Sequence, residues 1–396
     1  MSDAAEEVKV APTMPAMVLP PGLEGVAVAE TSIGDVRGEH GFFHYRGYDA
    51  VELARTCSFE QVWYLLTEGE LPDREQTRRF REETAQLRRL PEEVAKLLPA
   101  IAAIEPFAPL DALRTAVSLT ASALGLRPVM DISAEEIRLQ AVRMTALVPV
   151  MLMGLYRAHQ GQEPVPADPE LGYAAAYLQM LTGEHPHEKH ARAVEKYLIL
   201  TMDHGFNAST FTARVIISTG ADLGSALVGA IGALSGPMHG GAPSRALQTL
   251  DEIGTEDRAY EYLRRRVASG QRLMGFGHRI YKTDDPRSTL LREVALELGG
   301  EQAQFAQQVE RIALKVLNEL KPGRRLYTNV EYYAGVVMNT AGIPGDLFTP
   351  TFASSRMVGW TAAICEQAAH NRLIRPSAVY VGPSPPRPLP DGYGYS

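Results

Sequence analysis

Three histidines stand beside glycine in the chain. His204 lies in Asp203-His204-Gly205-Phe206-Asn207, His239 in Gly236-Pro237-Met238-His239-Gly240-Gly241, and His278 in Gly275-Phe276-Gly277-His278-Arg279. Glycine lets backbone and ligand come close to an imidazole. Imidazole gives or takes a proton near neutral pH. One such histidine is explained as well by a satisfied hydrogen bond in a turn; several in series point to acid–base chemistry. Arginines form a second set: Arg287 in Asp285-Pro286-Arg287, Arg356 inside the apolar run Phe352 to Trp360, and Arg375 before Pro376. A guanidinium in apolar surroundings is costly unless paired, and it matches carboxylates bidentately. A single buried arginine is ordinarily half of a structural ion pair. Three arginines with three histidines suggest a substrate carrying several carboxylates. Glu331, in Asn329-Val330-Glu331-Tyr332-Tyr333, is the only carboxylate between Glu319 and Asp346. It reads either as an acid at a helix N-terminus, favoured by the macrodipole, or as a general base.

The elements that must position these groups are mostly helical. Phe59, Val62, Trp63 and Leu66 fall at i, i+3, i+4 and i+7; Leu291, Val294, Ala295 and Leu298 repeat the spacing. Phe305, Val309, Ile312 and Val316 make a third apolar stripe. Each predicts a helix with one face in a core. Met144 to Tyr156 and Leu171 to Thr182 are apolar nearly all round, which suits helices buried in a large core. Val26 to Ile33 and Gly41 to Tyr45 read as two extended segments of a small hairpin. No alternation of strand and helix builds a parallel sheet, so the expected class is all-α with a short N-terminal β-hairpin. Residues 1–22 and 383–396, rich in proline, read as tails. A compositional change near Gly240, reversed after Glu331, suggests a domain of about 241–342 inserted between 23–240 and 343–382.

Composition narrows the function classes. The 396 residues carry 22% charged and 45% hydrophobic residues, an ordinary globular balance. Lys plus Arg is 39 and Asp plus Glu 47, a net charge of −8 that disfavours a nucleic-acid or electrostatic membrane binder. An anionic ligand must therefore be held by local arginines. Cys57 and Cys365 are too few for a disulfide framework and fit a reducing cytoplasm. The N-terminus lacks a signal-peptide layout. Leu223 to Met238, free of charged residues and histidine, is too short and too rich in small residues to span a membrane. Glu184-His185-Pro186-His187-Glu188-Lys189-His190 reads as a solvated loop ahead of a metal site, because no matching ligand set follows. No phosphate-loop, dinucleotide or nucleophile-elbow motif occurs.

Several separated motifs, in order, resemble the citrate synthase family: GLEGVAVAETSI, HYRGYDAVELA, DHGFNASTFTARV, GPMHGGA, GFGHRIYKTDDPR, NVEYYAG, GIPGDLFTPTFASSRMVGW and RLIRPSAVYVG. The resemblance covers about Leu23 to Gly382. It implies a homodimer of all-α subunits, each with a large and a small domain closing over a cleft. The implied enzyme is an (Si)-type acyltransferase. It condenses acetyl-CoA with oxaloacetate and hydrolyses the citryl thioester, with no tightly bound cofactor and no metal. Carried over by motif, His239 stabilises the enol, Glu331 removes the proton, and His278 donates to the oxaloacetate carbonyl. His204, Arg287 and Arg356 hold oxaloacetate, and Arg375 reaches in from the partner subunit. Arg279, Lys282, Arg324 and Arg325 are candidates for the coenzyme A contacts.

The chain departs from the family pattern at the base, where Asp is usual and Glu331 stands, one methylene longer. It also departs at Gly205, Pro243, Thr328 and Ser377. These changes leave three readings: a citrate synthase, a 2-methylcitrate synthase using propionyl-CoA, and a weakly active relative that binds the same ligands.

Overall fold

The computed structural model describes residues 20–240, 243–278, 280–324 and 326–390. Thr31–Leu373 form one unit; Met1–Glu30 and Ile374–Ser396 form another, of which 20–30 and 374–390 are described. The larger unit carries sixteen α-helices among the described residues and one three-stranded sheet.

The predicted stripes become helices for local reasons. Ser58 and Gln61 form a capping box that starts Phe59–Glu68, and Gly69, at φ 95°, ends it. Phe59, Val62, Trp63 and Leu66 are all buried on its inner face. Ser133 and Glu136 cap Ala134–His159 in the same way. That helix is long and apolar enough to cross a membrane by length and composition. Its apolar run is instead 72% buried inside the fold, where it packs on Glu92–Ala102, Pro109–Ala123 and Phe348–Ala369. The other stripes lie in Pro286–Leu298 and Glu301–Leu320. The apolar segment expected from Leu171 is helical over Tyr173–Thr182.

The hairpin differs from expectation in its first strand. Gly34–Arg37, not Val26 to Ile33, pairs antiparallel with Phe42–Tyr45, in the register Gly34 to Tyr45 and Arg37 to Phe42. Tyr48–Asp49 adds a third strand on the other side. A strand exists only where a ladder partner exists, and the four-residue Phe42–Tyr45 has its two edges filled by these neighbours. Gly34 also fits where a side chain does not: a Cβ there would stand 2.4 Å from the His44 carbonyl oxygen. The β-branched residues of 26–33 therefore carry propensity without a partner.

Phe348–Ala369 organises the chemistry. It packs against Glu188–Thr201, Ala208–Ser218 and Leu223–Leu234, and it carries Arg356 in its buried middle.

Candidate active site

The site is built from helix N-termini. Asn207 caps Ala208–Ser218, accepting from the Thr210 N–H at 3.0 Å. Asp285 caps Pro286–Leu298 through the Arg287 N–H at 3.0 Å. Asn329 caps Val330–Thr340 through the Glu331 N–H at 3.1 Å. Asn, Asp and Ser are chosen at such positions because their side-chain oxygens satisfy orphan N–H groups. Helix N-termini also carry partial positive charge, which favours anions nearby.

Two segments distant in sequence are knitted together beside them. Phe276 and Thr328 form an antiparallel bridge, with Gly277 N–H donating to Tyr327 O at 2.7 Å and Asn329 N–H to Gly275 O at 2.9 Å. Asn329 Nδ2 also donates to Gly277 O at 3.0 Å. This lacing sets His278 and Glu331 at a fixed separation. Buried Glu310 accepts from Thr328 at 2.5 Å and from the Tyr333 hydroxyl at 2.6 Å, so it grips the chain on both sides of Glu331. Asp285 joins the two helix starts. Its carboxylate takes Arg287 Nε at 3.0 Å and Nη2 at 2.8 Å, and also the Val330 N–H at 3.1 Å.

A cleft of about 160 Å³ is lined by His204, His239, His278, Arg287, Glu331 and Arg356, with Tyr197, Thr201, Asn207, Asn329, Ala334 and Phe352 among the other walls. Six of the predicted residues, spread over about 150 positions of sequence, thus share one space. A larger cavity of about 420 Å³ between Glu188–Thr201 and Pro286–Leu298 holds none of them. Arg375 is exposed in the terminal unit, and Lys282 and Arg324 are exposed in the larger one. Arg279 and Arg325 lie outside the described residues.

The histidines are neutral, and their hydrogen bonds fix which nitrogen carries the proton. His278 Nδ1 accepts from the Ile280 and Tyr281 N–H groups at 3.0 and 3.1 Å, so its proton sits on Nε2. That nitrogen is 3.2 Å from Arg287 Nη2, and two donors so placed converge on one acceptor. His239 Nε2 accepts from the Ser209 N–H at 3.3 Å, so its proton sits on Nδ1. Burial, then the positive charge of Arg356, pushes His239 down to about 4. Burial, then Arg287, pushes His278 down to about 4. His204, 3.0 Å from the Tyr281 hydroxyl, is lowered well below its ordinary value by burial and the two arginines.

The two arginines are in different states. Arg287 is 3% exposed and paired bidentately with Asp285. Arg356 is 2% exposed, donates Nε to Thr201 O at 2.8 Å, stands 4.6 Å over the Phe352 ring, and makes no ion pair among the described residues. Burial lowers its pKa and Asp203, beyond ion-pairing distance, partly offsets this. A buried cation without a partner facing a cleft is a binding group for an anion.

Glu331 is pushed up from 4.5 to about 7, chiefly by burial, with Asp285 adding to the rise and Arg287 opposing it. The native state holds this proton more tightly than the unfolded chain, so the associated stability is present below about pH 4.5 and is lost as pH rises through about 7. Glu331→Gln never carries the buried charge. Its melting temperature is expected to exceed the parent's at about pH 8 and to match it by about pH 4.5, as checked by calorimetry at the two pH values. An equal difference at both would contradict a buried carboxylate.

Sequence reasoning found the acids, bases and cations but missed most of what holds them. Asn207 and Asn329 carry a legible signal, an Asn ahead of a helical run. Tyr197, Thr201 and Ser209 carry none, because each matters only through contacts far along the chain. Among the described residues, the histidine-rich loop included, no group of three or more His, Cys, Asp or Glu is arranged to hold an ion. His187 instead caps Glu188–Thr201, accepting from the Lys189 N–H at 3.1 Å.

The chain is similar to known proteins over most of its length. A family model described as the citrate synthase C-terminal domain matches residues 22–377. The citrate synthase of Synechocystis is 37% identical over 369 residues, covering 91% of this chain and 90% of that protein. Citrate synthase 2 of Bacillus subtilis is 38% identical, covering 93% and 97%. The citrate synthase structure from Thermotoga maritima superposes with a TM-score of 0.82 at 35% identity, covering 94% of this chain and 98% of that one. The citrate synthase structure from Thermoplasma acidophilum, a ternary complex with carboxymethyl coenzyme A and oxaloacetate, gives a TM-score of 0.85 at 29% identity, covering 94% of this chain and 99% of that one. With the matched model spanning most of its length, the chain belongs to the citrate synthase family of acyltransferases.

Proposed function

We propose that the chain condenses acetyl-CoA with oxaloacetate, giving citrate and free coenzyme A. The observation that carries this reading is Glu331, with a pKa of about 7, in one cleft with two neutral histidines and two buried guanidiniums. Removing a proton from a thioester methyl group needs a base on one side and a donor to the developing oxyanion on the other. Glu331 takes the proton while His239 Nδ1–H donates to the thioester oxygen, giving the enol. The enol carbon attacks the keto carbon of oxaloacetate as His278 Nε2–H donates to the keto oxygen. Water then cleaves the citryl thioester. His204, Arg287 and Arg356 hold the dicarboxylate. A neutral imidazole suits both donor roles, because it gives a hydrogen bond without first stabilising a charge.

In this reading the working unit is a cytoplasmic homodimer. Arg375 completes the partner's site, and residues 241–342 act as the small domain closing on 23–240 and 343–382. Lys282 and Arg324, exposed cations, serve the coenzyme A phosphates, with Arg279 and Arg325 as further candidates. The deciding experiment follows thiol release from acetyl-CoA and propionyl-CoA, with and without oxaloacetate. Oxaloacetate-dependent release is expected, faster in kcat/KM with acetyl-CoA. One methylene is worth only about 1–3 kcal/mol in an apolar pocket, so propionyl-CoA should turn over measurably. Faster propionyl-CoA turnover would make the protein a 2-methylcitrate synthase. Silence with both would leave a ligand-binding relative.

A further inference from the structure

Glu310 lies inside Glu301–Leu320 and is 3% exposed. Its Oε1 accepts from Arg292 Nη2 at 2.6 Å and from Thr328 Oγ1 at 2.5 Å, and its Oε2 accepts from the Tyr333 hydroxyl at 2.6 Å. Thr328 and Tyr333 are buried as well. One turn earlier on the same helix, Ala306 O accepts from the Tyr332 hydroxyl at 2.8 Å. The residue three places before Glu331 and the two that follow it are therefore all fastened to one face of Glu301–Leu320. Glu331 itself lines the cleft.

A buried carboxylate persists only where a cation and further donors satisfy it. Arg292 supplies the cation. The two hydroxyls supply the rest, and both belong to the segment that carries Glu331. Bonds to a charged acceptor are roughly twice as strong as neutral ones, so this segment is held firmly on both sides of the base. The Glu331 carboxyl is raised first by burial, with Arg287 opposing and Asp285 adding to the rise. Tyr197 faces it from Glu188–Thr201, and His239, His278 and Arg356 stand in the same cleft. Glu310 reaches it through the backbone from Thr328 to Tyr333. We propose that Glu310 is a positioning residue for Glu331, gripping Thr328 and Tyr333 so that the carboxyl between them stays buried at the cleft. The proposal rests on the reading of Glu331 as the base, and it assigns to this chain the means of keeping that base in place.

Thr328→Val deletes one of these donors and frees the start of the segment. The Glu331 carboxyl then gains access to water. Burial is the largest cause of its raised pKa, so its titration midpoint is expected to fall by about one unit from about 7. The readout is carboxyl ¹³C NMR of the full-length protein labelled in glutamate, with Glu331 assigned by difference from Glu331→Gln. The kcat for thiol release should fall about tenfold, since a displacement of about 1 Å can cost on the order of 100-fold. The oxaloacetate Kd should stay at the parent value, because Thr328 holds neither Arg287 nor Arg356. Thr328→Ser keeps the hydroxyl and should restore both the midpoint and kcat. Tyr333→Phe deletes the other hydroxyl and should move the midpoint in the same direction. A Glu310 that served packing alone would lower the melting temperature on loss of a donor and leave the Glu331 midpoint at about 7 in every folded variant. That result overturns the proposal, and so does a serine variant that behaves like the valine one. If T328V does not fold, Y333F decides by the same midpoint. If E331Q releases coenzyme A at the parent rate, the reading of the base fails, and the midpoint still decides whether Glu310 places the carboxyl.

Discussion

Glu331→Gln is expected to lower kcat by about 10²–10⁴-fold, the range general-base catalysis supplies, while oxaloacetate binding persists. Gln keeps the size and the polar oxygen of the side chain and cannot take a proton. The parent enzyme should lose kcat/KM tenfold per pH unit below about 7, because only the ionised carboxylate accepts the methyl proton and burial holds it half protonated there. In the Gln variant that acid limb should vanish. Glu331→Asp is the sharper probe. It restores the shorter carboxylate usual in the family, but the helix start gripped by Asn329, Asp285 and Glu310 stays where it is. A displacement of about 1 Å can cost on the order of 100-fold, so a loss with Asp would show a site fitted to Glu. A gain would show one that Glu has impaired. Glu331→Gln retaining activity within a few-fold would remove Glu331 from the base role altogether.

Which parts of this were legible in the sequence follows from how far each signal reaches. The apolar stripes at Phe59 to Leu66, Leu291 to Leu298 and Phe305 to Val316 became helices because helix periodicity and capping are local. The first strand was misplaced because β-branched residues at 26–33 announce propensity, whereas pairing is decided by Phe42–Tyr45 and by the room at Gly34. The histidines, Arg287, Arg356 and Glu331 were visible by type, and the fold brings them to one cleft. Their states were not visible. Glu331 titrates near 7 because of burial, and His239 carries its proton on Nδ1 because Ser209, thirty residues earlier, donates to the other nitrogen. Such facts belong to tertiary contacts and have no spacing rule.

Arg356→Gln is expected to raise the oxaloacetate Kd by about 10²–10⁴-fold, as two charge-assisted hydrogen bonds are worth about 1.5–3 kcal/mol each. A structural arginine keeps a carboxylate partner in the empty protein. Arg287 is of that kind in part, since Asp285 holds it bidentately whether or not a ligand is present. Arg356 has one carbonyl, Thr201 O, and an aromatic face, and no carboxylate within 4 Å among the described residues. Its buried charge costs stability in the empty protein. Removing it should leave the melting temperature unchanged or higher without ligand, and should abolish the rise that oxaloacetate produces in the parent. A structural role predicts the reverse: a lower melting temperature and an intact ligand-induced rise. Arg356→Lys separates charge from geometry. A point charge on a flexible stem cannot present two parallel donors, so Lys should recover only part of the affinity. Calorimetric titration with oxaloacetate reads all three proteins, and an unchanged Kd in Arg356→Gln would dismiss the guanidinium as the anchor of the keto acid.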